Sequence, residues 1–319
     1  LNHFISARFS EKKRAFFIMA NYYNDNTVIY HNGYLVKAKD ARIDLYSQTM
    51  HYGYGVFEGI RSYKTIHGTT AIFKPEEHYD RLRKSAQALN LPYEWSNEEL
   101  IEATYAVLRR NDLQDAYIRP LIYGPANMSF NPNEESNITI QAWAMQPFLG
   151  DKLLRVHISE FQRPNPKAFH MQAKACGHYV NSILASQDAK AKGYDEALLK
   201  DLNGNIAEGP GANFFMEKNG QLITPAAGHI LTGITRATVL QLCAMLNIDV
   251  EERHIHPDEL LTADSAFFCG TAAEVIGIQQ IDNTALPMPW AESLGAQVQQ
   301  AYKALVVAQP IHTKATVVA

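Results

Sequence analysis

Cysteine is scarce in this chain. Cys176, Cys243 and Cys269 are the three among 319 residues, and their wide spacing gives neither a CxxC redox pair nor a zinc-ligand pattern. A sparse, odd count suits a reducing compartment, and the protein is expected to be cytoplasmic. Long apolar runs are missing too. No stretch approaches the ~20 residues that a membrane-spanning helix needs, and residues 15–20 are shorter than the usual core of a signal peptide. There is also no surplus of positive charge: 29 basic residues face 33 acidic ones, a formal charge of −4. That leaves no basic face for nucleic acid or anionic lipid. The clusters Lys12-Lys13-Arg14 and Arg81-Leu82-Arg83-Lys84 are too short to supply one. His254-Ile255-His256 has no neighbouring ligand pattern and is read as structural, so no metal is expected. Internal repeats and low-complexity tracts are absent.

The length suffices for two domains with separate cores. Hydrophobic residues at 46% and charged residues at 19% describe a soluble globular protein. Residues 1–19 are read as a leader or extension outside the fold. A smaller N-terminal domain is expected over 20–146. It opens with a hairpin, Thr27-Val28-Ile29-Tyr30 and Tyr34-Leu35-Val36, turned by Asn32-Gly33. Strands are expected at 71–73, 117–123 and 138–145, with helices at 77–90 and after Ser96. There Ser96 and Glu99 form a capping box, and Leu100, Thr104, Val107 and Leu108 trace an apolar stripe.

Pro147 and Gly150 mark an interdomain loop at 147–152, followed by a larger C-terminal domain over 153–319. Its expected elements are strands at 154–160 and 263–269, helices at 180–192, 235–246 and 290–307, and tight turns at Asn203-Gly204 and Asn219-Gly220. Strands joined mainly by tight turns predict an α+β fold rather than a doubly wound sheet.

The chemistry begins at Ala173-Lys174-Ala175-Cys176-Gly177-His178-Tyr179. Lys174 has small and apolar neighbours, with no other charge over 168–183 apart from His170 and His178. An ammonium withdrawn from water loses hydration, and its free amine is a nucleophile towards carbonyls. Glu208 opens the glycine-rich turn Glu208-Gly209-Pro210-Gly211-Ala212-Asn213. Leu231-Thr232-Gly233-Ile234-Thr235-Arg236 runs from a loop into a helical pattern whose first N–H groups can hold an anion. A lysine, a carboxylate for a ring nitrogen and a phosphate cradle are the protein groups that pyridoxal 5′-phosphate requires.

Further blocks accompany these: Tyr52-Gly53-Tyr54-Gly55-Val56-Phe57-Glu58-Gly59-Ile60-Arg61, His78-Tyr79-Asp80-Arg81-Leu82, Ala116-Tyr117-Ile118-Arg119-Pro120-Leu121 and Gly270-Thr271-Ala272-Ala273-Glu274-Val275. Together, and in this order, they resemble the class IV (fold type IV) pyridoxal-phosphate aminotransferases, most closely the branched-chain-amino-acid aminotransferases, over roughly residues 32–307. The resemblance implies the two-domain, D-amino-acid aminotransferase-like α+β fold with the cofactor between the domains. It implies that Lys174 binds the cofactor covalently, Glu208 faces its pyridine nitrogen and Tyr179 its phenolic oxygen. Arg81, the N–H groups of Ile234 and Thr235, and the hydroxyls of Thr235 and Thr271 would hold the phosphate; Arg236 is expected to make a structural contact.

On the substrate side, Thr271 and Ala272 would hold the α-carboxylate with help from Tyr117. Phe57, Tyr52 and Tyr179 would wall an apolar pocket, and Arg119 would receive the side-chain carboxylate of glutamate. The implied reaction moves the amino group of leucine, isoleucine or valine to 2-oxoglutarate. The implied assembly is a homodimer or larger, with Tyr52 and the 128–130 loop projecting across its interface. The chain departs from the family pattern at Phe148, at Met145-Gln146-Pro147, in a shorter loop around 127–130, and at Cys176 and His178. An aminodeoxychorismate lyase or a D-amino-acid aminotransferase would share this fold; a non-catalytic binding protein would have no use for the combined lysine, carboxylate and cradle.

Overall fold

The computed structural model describes residues 22–145 and 152–309. The expected leader, and the interdomain loop with Pro147 and Phe148, lie outside the described residues. Two sheets organise the rest. The first contains β1 (Val28–His31), β2 (Tyr34–Lys37), β3 (Gly55–Phe57), β4 (Ile60–Lys64), β5 (Thr70–Ile72), β6 (Ala116–Tyr123) and β7 (Asn137–Ala144). Its order is β2-β1-β7-β6-β4-β5, with β3 also on β6. The expected Asn-Gly hairpin joins β1 and β2, with Asn32 at φ 48°.

Three helices accompany this sheet: α1 (Gln48–Tyr52), α2 (Pro75–Ala88) and α3 (Asn97–Arg110). Leu82 and Ala86 of α2 and Leu100, Val107 and Leu108 of α3 share a core with Ile118, Ile122 and Ile140 of the sheet, the i, i+3, i+4 spacing of an amphipathic face. Ser96 caps α3 by accepting the Glu99 N–H at 3.1 Å. Only this half of the expected capping box forms, because the Glu99 carboxylate accepts instead from the Tyr30 hydroxyl at 3.2 Å.

The second sheet comprises β8 (Leu154–Gln162), β9 (Glu196–Lys200), β10 (Ile206–Glu208), β11 (Asn213–Lys218), β12 (Gln221–Pro225), β13 (Val250–Arg253), β14 (Ser265–Gly270), β15 (Glu274–Ile281) and β16 (Thr284–Ala285). It runs β10-β9-β8-β15-β14-β11-β12-β13, with β16 beside β15. Three helices follow the same stretch: α4 (Tyr179–Ala191), α5 (Ile234–Met245) and α6 (Leu294–Val307). Two connections are helical crossovers rather than tight turns. β8 and β9 are parallel, as are β12 and β13, and parallel neighbours need a long return, which α4 and α5 provide. Neither β3–β4 nor β15 was expected as strand; both are motif-bearing segments whose alternation is broken by glycine and by charged residues that the fold buries.

The halves are joined through backbone. Val56 of β3 bridges Ala175, the Phe57 N–H donates to the Lys174 carbonyl at 3.0 Å, and the Lys174 N–H donates to Ser85 Oγ of α2 at 3.0 Å.

Beside this seam lies Glu58, 0% exposed in the break between β3 and β4. It accepts from Arg81 Nε at 2.6 Å and Nη2 at 2.9 Å, and from His78 Nδ1 at 2.7 Å. Burial alone would raise the Glu58 pKa, but Arg81 and His78 outweigh it and hold the carboxyl far below its ordinary range. His78 is lowered, chiefly by burial and against the pull of Glu58. It therefore serves as a neutral Nδ1–H donor, and Arg81 balances the charge.

A depressed folded-state pKa means that the unfolded chain takes the proton first. The stability held by His78 is complete above its unfolded value of ~6.5 and is lost as pH falls towards the folded value. Urea midpoints should therefore fall as pH drops below ~6.5, and His78→Gln, which keeps a donor to Glu58, should flatten part of that fall. An identical pH profile in the variant would mean that His78 takes up its proton at the same pH folded and unfolded, and so contributes nothing to the fall.

Candidate active site

Lys174 and Ala175 lie against β3, and the tight turn Cys176–His178 leads directly into α4. Tyr179 thus becomes the first residue of that helix, and its hydroxyl returns over the lysine. Lys174 Nζ donates to Tyr179 Oη at 2.7 Å. The amine sits 5.1 Å from the centre of the Phe57 ring and 5.2 Å from that of Tyr179, two rings packed edge to face at 4.7 Å. It is held in an aromatic corner with one hydroxyl partner.

Glu208 ends β10 and is buried. Oε1 lies 3.0 Å from Arg163 Nε and accepts the Leu231 N–H at 3.1 Å; Oε2 accepts from Asn213 Nδ2 at 3.0 Å. Burial raises the Glu208 pKa, opposed by Arg163, the Leu231 N–H and Lys174. A carboxylate in this position gains from a further N–H donor presented from the cleft. Asn213 also holds the Leu231 carbonyl at 2.9 Å, so one amide fixes both the acid and the loop entering α5. Its approach requires Gly233, where a Cβ would overlap Asn213 Oδ1.

In the same cleft, Gly233 is the N-cap of α5 and supplies no side-chain acceptor. The leading N–H groups of a helix have no intrahelical partner and carry the positive end of its dipole. Arg81 commits Nε and Nη2 to Glu58, which aims Nη1 at the Thr232 carbonyl, 3.3 Å away. Lys174, Tyr179, Glu208, Arg81 and residues 233–235 all line one cleft, completed by Gly270 and Thr271. Arg236 points elsewhere, onto the Pro225 carbonyl at 3.0 Å and Glu252 at 2.6 Å.

Phe57, Tyr117 and Arg119 gather beside the amine rather than in that cleft. The Arg119 guanidinium lies 4.5 Å from the Phe57 ring centre and donates to Tyr117 Oη at 3.2 Å. Among the described residues its buried Nε has no hydrogen-bond partner. Tyr117 fits because residue 59 is glycine; a Cβ there would overlap its hydroxyl.

Ala272 follows Thr271 in the turn between β14 and β15. Tyr52 stands apart: it is 48% exposed and packs on Phe130 at 5.7 Å.

The sequence does not single out Arg163, Asn213, Glu58, His78 or Ser85 for these tasks. Glu58, His78 and Asn213 lie within its motifs; nothing around Arg163 marks it.

The cleft can hold an elongated ligand with an anion at one end, an N–H⁺ group at the other and a carbonyl carbon near Lys174. Comparisons with known proteins agree. The model of the family described as amino-transferase class IV matches residues 55–281. The chain is 40% identical over 285 residues to the branched-chain-amino-acid aminotransferase of Pseudomonas aeruginosa, covering 88% of this chain and 92% of that one.

Among solved structures, the branched-chain aminotransferase of Escherichia coli superposes with a TM-score of 0.85 at 34% identity, over 91% of this chain and 98% of that one. The branched-chain amino acid aminotransferase of Thermobaculum terrenum, solved in its PLP-bound holo form, gives 0.83 at 33% identity, over 89% and 95%. The chain belongs to the class IV aminotransferases.

Proposed function

We propose that this protein transfers the amino group of L-leucine, L-isoleucine or L-valine to 2-oxoglutarate with pyridoxal 5′-phosphate as cofactor. One observation carries the reading: a single cleft presents an uncapped helix N-terminus with an arginine, a lysine amine held by a tyrosine, and a buried carboxylate. The spacing of charge suits phosphate, aldehyde and ring nitrogen, and the relatives named above support the substrate class and the cofactor.

When bound, the cofactor supplies an electron-accepting ring and a carrier for the amino group. The chain does the rest. Arg81, the N–H groups of Ile234 and Thr235, and the hydroxyls of Thr235 and Thr271 bind the phosphate. Lys174 Nζ holds the cofactor and, once released by an amino substrate, takes the proton from the substrate Cα; Tyr179 keeps that amine in place. Glu208 holds a proton on the ring nitrogen, and Arg163, Asn213 and the Leu231 N–H keep its carboxylate aimed.

Thr271 and Ala272, with Tyr117, bind the α-carboxylate, while Phe57, Tyr179 and Tyr52 shape an apolar pocket. The unpartnered edge of Arg119 offers the second carboxylate of glutamate a site beside that pocket. We place the enzyme in the cytoplasm as a homodimer. Tyr34, Leu45, Tyr46 and Phe130 are 67–91% exposed, and a second copy covering them would bring Tyr52 and the 128–130 loop to its neighbour's substrate.

Lys174→Ala should abolish the visible absorption of the holoenzyme and its transamination of leucine; substantial turnover by this variant would remove Lys174 from the chemistry. Glu208→Gln should still bind cofactor but lose about 10²–10³ in turnover, the usual effect of removing a group aimed at developing charge. Normal turnover with cofactor bound would refute the role.

Arg119→Leu should damage the 2-oxoglutarate half-reaction far more than the leucine half-reaction, because deleting one partner of a buried charged pair costs ~2–5 kcal/mol. Single-turnover rates for the two halves separate the effects. Equal losses would make Arg119 structural or assign it to the shared α-carboxylate, and either would overturn this role.

A further inference from the structure

The turn carrying Thr271 and Ala272 ends on a residue that should not be comfortable there. Glu274 pairs with Gly270 across the β14–β15 hairpin and has φ 56°, a left-handed conformation that glycine adopts freely and a side-chain-bearing residue does not. Its carboxylate faces inwards between the sheets. Arg61 Nη1 lies 3.1 Å from Oε1, and Tyr63 donates its hydroxyl to the same oxygen at 2.9 Å.

Arg61 and Tyr63 are alternate residues of β4 and so share a face. The Arg61 guanidinium also donates to the Met145 carbonyl at 3.1 Å, at the end of the first sheet. Beyond Tyr63, in the same buried core, lies Tyr302 of α6. Burial first, then Tyr302 and Glu274, push the Tyr63 pKa well above the ordinary phenol range, so its hydroxyl stays a donor. Buried polar contacts therefore tie the 271–273 turn, one of the anion-binding elements, to β4 of the first sheet.

We propose that Glu274 is a positioning residue for the 271–273 turn that carries Thr271 and Ala272. Through Arg61 and Tyr63 it fixes the backbone of that turn. This rests on the assignment of the turn to the cofactor phosphate and the substrate α-carboxylate. It explains why a position suited to glycine holds a carboxylate: the left-handed backbone lets the chain turn while the side chain reaches the opposite sheet.

Glu274→Gly tests the proposal, because glycine favours the same backbone angles and removes only the carboxylate. Apoprotein titrated with pyridoxal phosphate should show a dissociation constant raised at least about fivefold, the effect of a single hydrogen bond. KM should rise in parallel for leucine and 2-oxoglutarate, which share the α-carboxylate, with a smaller change in kcat. Tyr63→Phe, which keeps the Arg61–Glu274 pair, should weaken cofactor binding in the same direction, and its melting temperature checks that it folds.

Wild-type dissociation constants and KM values in both folded variants would overturn the proposal, leaving Glu274 as part of the scaffold only. If Glu274→Gly fails to fold, Tyr63→Phe decides by the same two measurements. Wild-type apoprotein that takes up no pyridoxal phosphate would instead overturn the functional assignment, and this inference with it.

Discussion

Two backbone hydrogen bonds on Lys174 hold the catalytic arrangement together. The residue's carbonyl accepts from Phe57 of one sheet and its N–H donates to Ser85 of the helix above that sheet, although Lys174 itself precedes the helix that crosses the other sheet. The amine is therefore positioned by both halves of the molecule at once. Phe57 contributes its N–H to the seam and its ring to the aromatic corner around Nζ, so the strand that aligns the lysine also shapes the space beside it. A shift of the two sheets relative to each other would displace the reactive nitrogen, the acid and the phosphate cradle from their common line.

Buried charge is arranged around that seam in pairs. Glu58 takes Nε and Nη2 of Arg81 and leaves Nη1 to face the Thr232 carbonyl; Arg163 stands against Glu208; Arg61 meets Glu274. Each pair couples segments distant in sequence, and each loses far more by deletion of one partner than it gains in net stability as a whole. Their value here is directional. A guanidinium gripped on two edges can present only the remaining one, and a carboxylate held by amide donors cannot rotate away from the cleft.

The chemical groups were more legible in the sequence than the framework that aims them. Lys174, Glu208 and the entry to α5 stand out because small and glycine residues surround them and because their types match one cofactor. The hairpin at Asn32-Gly33 and the stripes of α3 and α5 follow from turn chemistry and period. The strands β3, β4 and β15 did not stand out: Glu58, Arg61 and Glu274 interrupt their alternation, and burial of those charges is decided by partners tens to hundreds of residues away. The same reason hides Arg163, whose only signal is the spatial position of Glu208. Glu99 shows the converse, a local capping signal overridden by the distant Tyr30.

The pairing of Arg81 with Glu58 has an implication for how cofactor would be retained. With the guanidinium charge already matched, the phosphate end of the cleft carries little net positive charge beyond the helix dipole. Recognition there would depend on short, directed N–H and O–H contacts in a sheltered space, which salt screens weakly, rather than on a long-range field that salt would erase. Such a cradle discriminates by shape: a phosphate attached to a ring that also reaches Glu208 engages both ends, whereas a free phosphate ion finds half of the contacts and no field to draw it in. Cellular phosphate would then be a poor competitor at a site whose most visible feature is an arginine.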